Sequence, residues 1–262
     1  MSEIRHNLGG KFERREIILP TGPLGYFVGG DGPPFLHIHG AGGLRVSGAL
    51  QDLTETHRVY MPLVPGFDDT PAHEDLNSFP ELADMIASFA ETEIGTPCPL
   101  NGHAFGGRLV TWYAVLHGDK AGKVIIQCPS GFRTQDRTMT DAQYTESVVT
   151  HADRGPDENR SPAVVDANRS AGHRYHTPGK GIVKPAFRDQ DLIDRLDEIN
   201  CKALILQGRL DGVLAPDSVE FLARQIRDSR LVFVEDAGHL IEIDQREPFV
   251  ELLRDFLAPD SF

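Results

Sequence analysis

The chain has 262 residues, 40% hydrophobic and 25% charged, a composition typical of a globular protein with a substantial apolar core. Its net charge of −13 opposes binding to phosphate backbones, so we expect no nucleic-acid partner. No apolar run approaches the ~20 residues of a membrane span, and the start "MSEIRHNLGG" has no apolar signal core. Since the three cysteines also adjoin apolar runs, as free thiols do in a reducing compartment, we expect a cytoplasmic protein without a membrane partner.

The apolar pattern predicts an α/β fold. Two strand-like runs at 13–20 and 24–30 come first, joined by a hairpin turn at Thr21-Gly22. Short apolar strands then alternate with helical patterns, which predicts a mostly parallel, eight-stranded sheet with helices on both faces. The later strands are expected at 33–40, 57–66, 96–102, 123–129, 201–208 and 229–236, and the helices at 78–94, from Gly106, from about Asp217 to Ile226, and from Pro248 through Leu257.

One polar segment interrupts this alternation. Residues 132–188 are rich in Asp, Arg, Thr and Pro, with weak helical patterns near 140–152 and 162–173 and no convincing strand. Because the block lies between two strands of the sheet, we interpret it as an inserted helical cap or lid rather than a disordered linker. The predicted core therefore comprises residues 1–131 and 189–262.

Four loops at predicted strand ends carry unusual residues: "HIHGAGG" (37–43), "NGHAFGG" (101–107), "GRLDGVLAP" (208–216) and "EDAGHLIE" (235–242). Functional loops gather at the carboxyl ends of parallel strands. The chain order of a small residue in a glycine-rich elbow, then an aspartate, then a histidine resembles the α/β-hydrolase family. The resemblance extends from about residue 13 to 257, with only the cap lacking recognisable motifs.

The resemblance implies a role for each part of the site. Ala104 stands at the nucleophile position of the elbow, Asp211 at the acid position and His239 at the base position. The backbone N–H groups of Phe105 and Ala41 would form the oxyanion hole. Asp217 follows Pro216 and is predicted to begin a helix rather than to serve as the acid.

The family implies a small-molecule carbonyl substrate and no cofactor. Candidate substrate-binding residues are Gly40, Gly42 and His103 in the loops and Arg133 and His173 in the cap, where positive groups could receive a substrate carboxylate. A homodimer is left open.

We expect no metal site. His37 and His39 have the spacing of metal ligands on one strand, and His173 and His176 are three residues apart, but neither pair has a further ligand nearby. Cys128 at the end of the sixth strand is predicted to be a small buried residue rather than a group of the cleft.

Alanine at position 104 leaves two interpretations open, because alanine cannot form an acyl-enzyme. In the first, Ala104 is an introduced replacement, and the parent is a serine hydrolase that cleaves a carboxylic ester, a lactone or the C–C bond of a diketone; this form would be inactive. In the second, the alanine is natural. The His239–Asp211 dyad would then support cofactor-free lyase or oxygenase chemistry, or the cleft would only bind a ligand, as in a pseudo-hydrolase.

Overall fold

A single eight-stranded sheet organises the molecule. The computed structural model describes residues 10–68, 70–95, 97–134, 143, 147–148, 150–151, 160–176, 188–259 and 261. The strands are β1 Phe12–Leu19, β2 Gly22–Gly29, β3 Pro34–Ile38, β4 Arg58–Pro62, β5 Leu100–His103, β6 Lys123–Gln127, β7 Lys202–Gly208 and β8 Ser229–Val234. Their order is β1-β2-β4-β3-β5-β6-β7-β8, and all pairs from β4 to β8 are parallel. The predicted α/β-hydrolase fold with a mostly parallel eight-stranded sheet is confirmed.

The strand order reverses beside β3. From β3 the chain moves to β4 on one side and later to β5 on the other, so the loops that follow β3 and β5 diverge. Such a switch point opens a crevice at the carboxyl ends of the strands. At one edge of the sheet, β1 and β2 form the predicted hairpin. Because Leu19 pairs with Gly22, the turn is Pro20-Thr21, one residue earlier than expected.

Helices cover both faces of the sheet. They are α1 Gly48–Leu53, α2 Phe79–Phe89, α3 Phe105–Ala121, α4 Pro162–His176, α5 Gln190–Ile193, α6 Pro216–Gln225, α7 Ile241–Asp244 and α8 Arg246–Leu257. Ser78 caps α2, its hydroxyl accepting from the Glu81 N–H. Asp217 lies in the first turn of α6, as predicted. The last helix begins at Arg246, two residues before the predicted start at Pro248.

The core has two layers because side chains alternate along each strand. On β6, Val124 and Ile126 face the layer shared with α2, α3 and α6. Ile125 faces the layer shared with α1 and α8, where Phe249 is fully buried. The sheet is therefore a rigid base that holds the strand-end loops in place.

The predicted cap contributes one described helix. Helix α4 confirms the pattern seen near 162–173, whereas most of the pattern near 140–152 falls outside the described residues. An isolated antiparallel bridge joins Phe132 to Arg188, so the two ends of the predicted cap lie side by side. The boundary at 132–188 stays a prediction. No helix in the described part of the chain combines the length and the apolar character needed to cross a membrane.

Candidate active site

The turn between β5 and α3 places Ala104 in a strained conformation. Its backbone has φ 51° and ψ −102°, a region that non-glycine residues seldom adopt. A Cβ atom at position 102 would collide with the Gly106 carbonyl oxygen, and one at position 106 with the Ile38 carbonyl oxygen. The Ala104 N–H donates to Gln127 O on the neighbouring strand at 2.9 Å. The two glycines therefore allow a sharp elbow, as predicted, and the sheet holds its central residue.

Asp211 and His239 form a buried pair. The His239 Nδ1–H donates to Asp211 Oδ2 at 2.9 Å, while Oδ1 accepts from the N–H groups of Val213 at 2.8 Å and Leu214 at 3.0 Å. Burial alone would raise the pKa of Asp211, but His239 and the two N–H donors outweigh it and lower that pKa. The carboxylate thus stays charged and fixes the tautomer that leaves His239 Nε2 unprotonated.

His103 supports the loop that carries His239. Its Nε2–H donates to the His239 carbonyl oxygen at 2.9 Å, and the two rings lie 4.8 Å apart. One ring nitrogen of His103 is therefore engaged within the protein, and its predicted contact with substrate stays a prediction.

The predicted oxyanion donors lie on the two loops of the crevice. Phe105 is the first residue of α3, so its N–H has no acceptor within the helix. Ala41 lies in the turn after β3, where Gly40 O accepts from the Gly43 N–H at 3.0 Å and from the His39 Nδ1–H at 2.8 Å. These two N–H groups follow β5 and β3, the strands that flank the crevice, and their role in stabilising an oxyanion stays a prediction.

The histidines considered as metal ligands are engaged in hydrogen bonds. His39 Nε2 accepts from the Val64 N–H at 3.2 Å, and His37 Nδ1 accepts from Asn101 Nδ2 at 2.9 Å. Burial lowers the pKa of His37 to about 3, and the nearby His39 adds to this effect. Both rings therefore serve as neutral parts of the packed interior.

Cys128 is buried, as predicted, but it also borders the dyad. It has φ 44°, and its Sγ, an Asp211 carboxylate oxygen and a His239 ring nitrogen all lie within 4.8 Å of one another. Burial, helped by the Asp211 carboxylate, raises the pKa of the Cys128 thiol well above its usual range. The neutral thiol is therefore available as a further donor to Asp211, a contact that the apolar sequence around Cys128 does not signal.

The cap residues predicted to bind substrate lie at different places. Arg133 Nη2 donates to Val213 O at 3.4 Å, which brings this side chain beside the loop of the acid. His173 is half-buried on α4, and Gly42 is exposed in the loop after β3. Their contacts with substrate stay predictions, as does that of Gly40, whose carbonyl is held by Gly43 and His39.

A buried ion pair, which the sequence did not reveal, joins the elbow helix to the segment that follows the cap. Arg108 Nε donates to Asp189 Oδ2 at 2.7 Å, and Trp112 Nε1 donates to the same oxygen at 2.8 Å. The Arg108 Nη1–H also donates to His176 Nδ1 at 2.9 Å, at the last residue of α4. Arg108 lies one helical turn after Ala104, so its bond to Asp189 ties the segment after the predicted cap to the elbow helix, and its bond to His176 ties α4 to the same helix.

Several known proteins are similar to this chain. The alpha/beta hydrolase family model matches residues 35–252. Pimeloyl-[acyl-carrier protein] methyl ester esterase from Aeromonas hydrophila is 25% identical over 254 residues, covering 87% of this chain and 97% of the relative. 2-Hydroxy-6-oxo-2,4-heptadienoate hydrolase from Pseudomonas putida is 24% identical over 257 residues, covering 88% of this chain and 91% of the relative.

Solved structures share the fold. A serine-to-alanine variant of a meta-cleavage product hydrolase from Pseudomonas fluorescens, complexed with acetates, superposes with a TM-score of 0.75 at 20% identity, covering 92% of this chain and 96% of that one. Naproxen esterase from Bacillus subtilis gives a TM-score of 0.71 at 15% identity, covering 95% and 92%. Since the family model spans most of the sequence and the elbow, acid and histidine occupy the expected strand ends, this chain belongs to the alpha/beta hydrolase family.

Proposed function

We propose that this chain is a hydrolase of small carbonyl compounds whose nucleophilic serine is replaced by Ala104. The observation that carries the proposal is the buried Asp211–His239 pair, joined at 2.9 Å in a molecule whose elbow holds its central residue at φ 51°. A buried carboxylate is costly unless it is paired and hydrogen-bonded, and a positive φ at a residue other than glycine is unfavourable. Both features are best explained as catalytic geometry that remains after the hydroxyl is lost.

The proposed reaction needs only one additional oxygen atom. A serine hydroxyl at position 104 would attack the substrate carbonyl carbon while His239 Nε2 takes its proton. The Phe105 and Ala41 N–H groups would stabilise the oxyanion, and the leaving group would depart with the proton from His239. Water, deprotonated by His239, would then cleave the acyl-enzyme and release the acid.

The relatives support a carbonyl substrate. One relative is named as a methyl ester esterase and another as a hydrolase of a 2-hydroxy-6-oxo dienoate, so the names of similar proteins include both an ester and a hydroxy-oxo dienoate substrate. We therefore include a carboxylic ester, a lactone and the C–C bond of a diketone in the proposed substrate class. The contact of Arg133 with the acid loop offers one positive group for an acidic substrate.

The test restores the hydroxyl. We expect Ala104→Ser to raise the hydrolysis rate of p-nitrophenyl acetate, butyrate or octanoate by at least about 10³-fold, because loss of the nucleophile costs on the order of 10⁶-fold in a serine protease. Ala104→Gly is the matched control without a nucleophile, and Ala104→Ser/His239→Ala should lose the gain. A well-folded Ala104→Ser variant no faster than Ala104→Gly, on these esters and on a vinylogous diketone, contradicts the proposal.

The unmodified dyad supports a second candidate. The Nδ1 atom of His239 is bound to Asp211, which leaves Nε2 as the ring nitrogen that could accept a proton without a covalent step. Turnover of an aromatic hydroxy-ketone by the Ala104 chain, abolished by His239→Ala, would favour this dyad chemistry. Stabilisation by a small molecule without turnover of either form would favour a pseudo-hydrolase that only binds.

A further inference from the structure

The loop that carries Ala41 is held by side chains from outside it. The Leu44 N–H donates to Asp68 Oδ2 at 2.5 Å, and Asn168 Nδ2 donates to Gly42 O at 2.8 Å. We propose that Asp68, Asn168 and Arg160, here named the loop clamp, position the oxyanion donor at Ala41 and so make that donor dependent on the cap. This inference rests on the proposed function, since it concerns the same site.

The members of the loop clamp bind one another as well as the loop. The Asp68 N–H donates to Asn168 Oδ1 at 2.7 Å, and Asn168 Nδ2 donates back to Asp68 Oδ1 at 3.1 Å. Asn168 and Asp68 are 2% and 6% exposed, so water does not compete for these bonds. Arg160 donates to Gly42 O at 2.5 Å and to Leu44 O at 2.6 Å. The carbonyl groups of Gly42 and Leu44 thus bind side chains in α4 or just before it, and the Leu44 N–H binds a side chain that follows β4.

The local backbone is shaped around this clamp. Asp68 has φ 50°, a backbone conformation that glycine adopts without strain. An aspartate at this position therefore has an unfavourable backbone conformation, which its hydrogen bonds to the loop help to offset. Gly43 has φ 87°, and a Cβ atom there would collide with the Asp68 carboxylate and lie 2.6 Å from Asn168 Nδ2. Gly43 therefore leaves the space that the carboxylate and the amide occupy.

The clamp acts on Ala41 through two peptide units. The Gly43 N–H and the His39 ring both donate to Gly40 O, at 3.0 Å and 2.8 Å. The peptide between Gly40 and Ala41 is trans, so its N–H points opposite to that carbonyl. The bonds to Gly42 and Leu44 also fix Gly43, which lies between them. Because the Gly43 N–H binds Gly40 O, it then helps to fix the direction of the Ala41 N–H.

Helix α4 also packs on Ala41 directly. A Cβ atom at position 172 would lie 3.8 Å from the Ala41 Cβ, so this turn of α4 covers the loop. Asn168 and Gly172 are four residues apart and share one helix face. The geometry therefore makes Asn168 a positioning residue: it does not touch the reacting atoms, yet it holds the loop that directs the oxyanion donor, together with the His39 ring, which binds Gly40 O independently of α4.

The first test measures catalysis in the Ala104→Ser background with p-nitrophenyl butyrate. We expect Asn168→Ala to lower kcat by about 10- to 100-fold with KM within about threefold, because a misplaced oxyanion donor weakens only the transition state. The pH profile of kcat/KM should keep its midpoint, since the dyad is untouched. Ser170→Ala, an exposed position on the same helix, is the matched control and should leave kcat unchanged.

The second test needs no activity and uses the Ala104 chain itself. We expect Asn168→Ala to speed amide hydrogen exchange of residues 41–44 by about tenfold or more, while residues 105–112 and 207–214 keep their protection. Asn168→Asp keeps an acceptor for the Asp68 N–H but cannot donate to Gly42 O, so it should also speed exchange at residues 41–44. Faster exchange throughout the chain, or unchanged exchange at 41–44, would overturn the inference.

The two tests fail separately. If Ala104→Ser has no activity, the proposed function fails, and the exchange result still decides whether the clamp orders the loop. If Ala104→Ser is active and Asn168→Ala leaves kcat unchanged, the proposed function stands and the positioning role of Asn168 is wrong.

Discussion

The two sides of the crevice are constructed in different ways. On the core side, Ala104, Asp211 and His239 follow directly from strand ends, and their positions come from backbone hydrogen bonds and close-packed glycines. On the cap side, Arg160 and Asn168 reach the oxyanion loop from 118 and 126 residues away along the chain. The comparison teaches that the sheet positions the three residues of the proposed catalytic site, whereas side chains of the predicted cap bind the loop that carries Ala41.

Asp211 tests the core side with the largest expected effect. In the Ala104→Ser background, Asp211→Asn should lower kcat by about 10⁴-fold, because an amide favours the wrong tautomer of His239. Kinetic measurement across pH checks this expectation. Asp217→Asn, a carboxylate at the start of α6, is the matched control. An equal loss in both variants would show that Asp211 is not the acid.

Asp189 tests how firmly the segment after the predicted cap is tied to the elbow helix. Asp189→Ala should lower the free energy of unfolding by about 3–5 kcal/mol, because it leaves the guanidinium of Arg108 buried without its carboxylate. Urea denaturation checks the value. Asp52→Ala removes the carboxylate from a more exposed pair with Arg246 and should cost about 1 kcal/mol or less. If the two variants lose equal stability, the buried pair contributes no more than a surface pair.

Two glycine-to-alanine substitutions compare how tightly the two sides are packed. Gly106→Ala should lower the free energy of unfolding by about 1–3 kcal/mol, because its Cβ would lie 2.8 Å from His39 O and closer still to Ile38 O. Gly172→Ala should be neutral or stabilising by up to about 1 kcal/mol, because its Cβ would meet the protein only at 3.8 Å and alanine favours a helix. Thermal denaturation of both variants distinguishes the rigid elbow from the looser cap face.

Acid should weaken the core side through His37, with an effect that accumulates gradually over several units of pH. Burial lowers the pKa of His37 to about 3, so between the unfolded pKa of about 6.5 and pH 3 only the unfolded chain takes up this proton. Stability contributed by the neutral ring is complete above pH 6.5 and falls by about 1.4 kcal/mol for each unit of pH below it.

Unfolding free energies measured from pH 7.5 to pH 4 provide the check. His37→Asn, which keeps an acceptor for the Asn101 amide, should fall less steeply below pH 6.5. Above pH 7 the two curves should run parallel, which serves as the internal control. Equal slopes below pH 6.5 would contradict the assignment.

The sequence revealed the core side because its signals are local. Glycines at 102 and 106, an Asp-Gly after β7 and a histidine after β8 each mark a strand end, and their order alone indicated the site. The small errors were also local: the hairpin turn and the start of α8 shifted by one and two residues, since neighbouring prolines and glycines permit more than one boundary.

The cap side stayed hidden because its contacts join distant residues. Asp68 and Asn168 are 100 residues apart and neither lies in a recognisable motif. An asparagine on a polar helix reads as a solvated side chain, and only the folded arrangement brings it against Gly42. Cys128 illustrates the same limit, since its apolar neighbours indicated burial but not the carboxylate beside it.

The bridge between Phe132 and Arg188 has a consequence for how such a protein could diversify. Because the chain leaves and rejoins the sheet at one point, the segment between can change in length without moving a strand, and loop closure grows only slowly more costly as it lengthens. Exchange of this segment between family members is nevertheless constrained. A transplanted segment must also bring a side chain that binds Asp68, as Asn168 does here. Without one, we expect the Ala41 N–H, the proposed oxyanion donor, to lose its fixed direction.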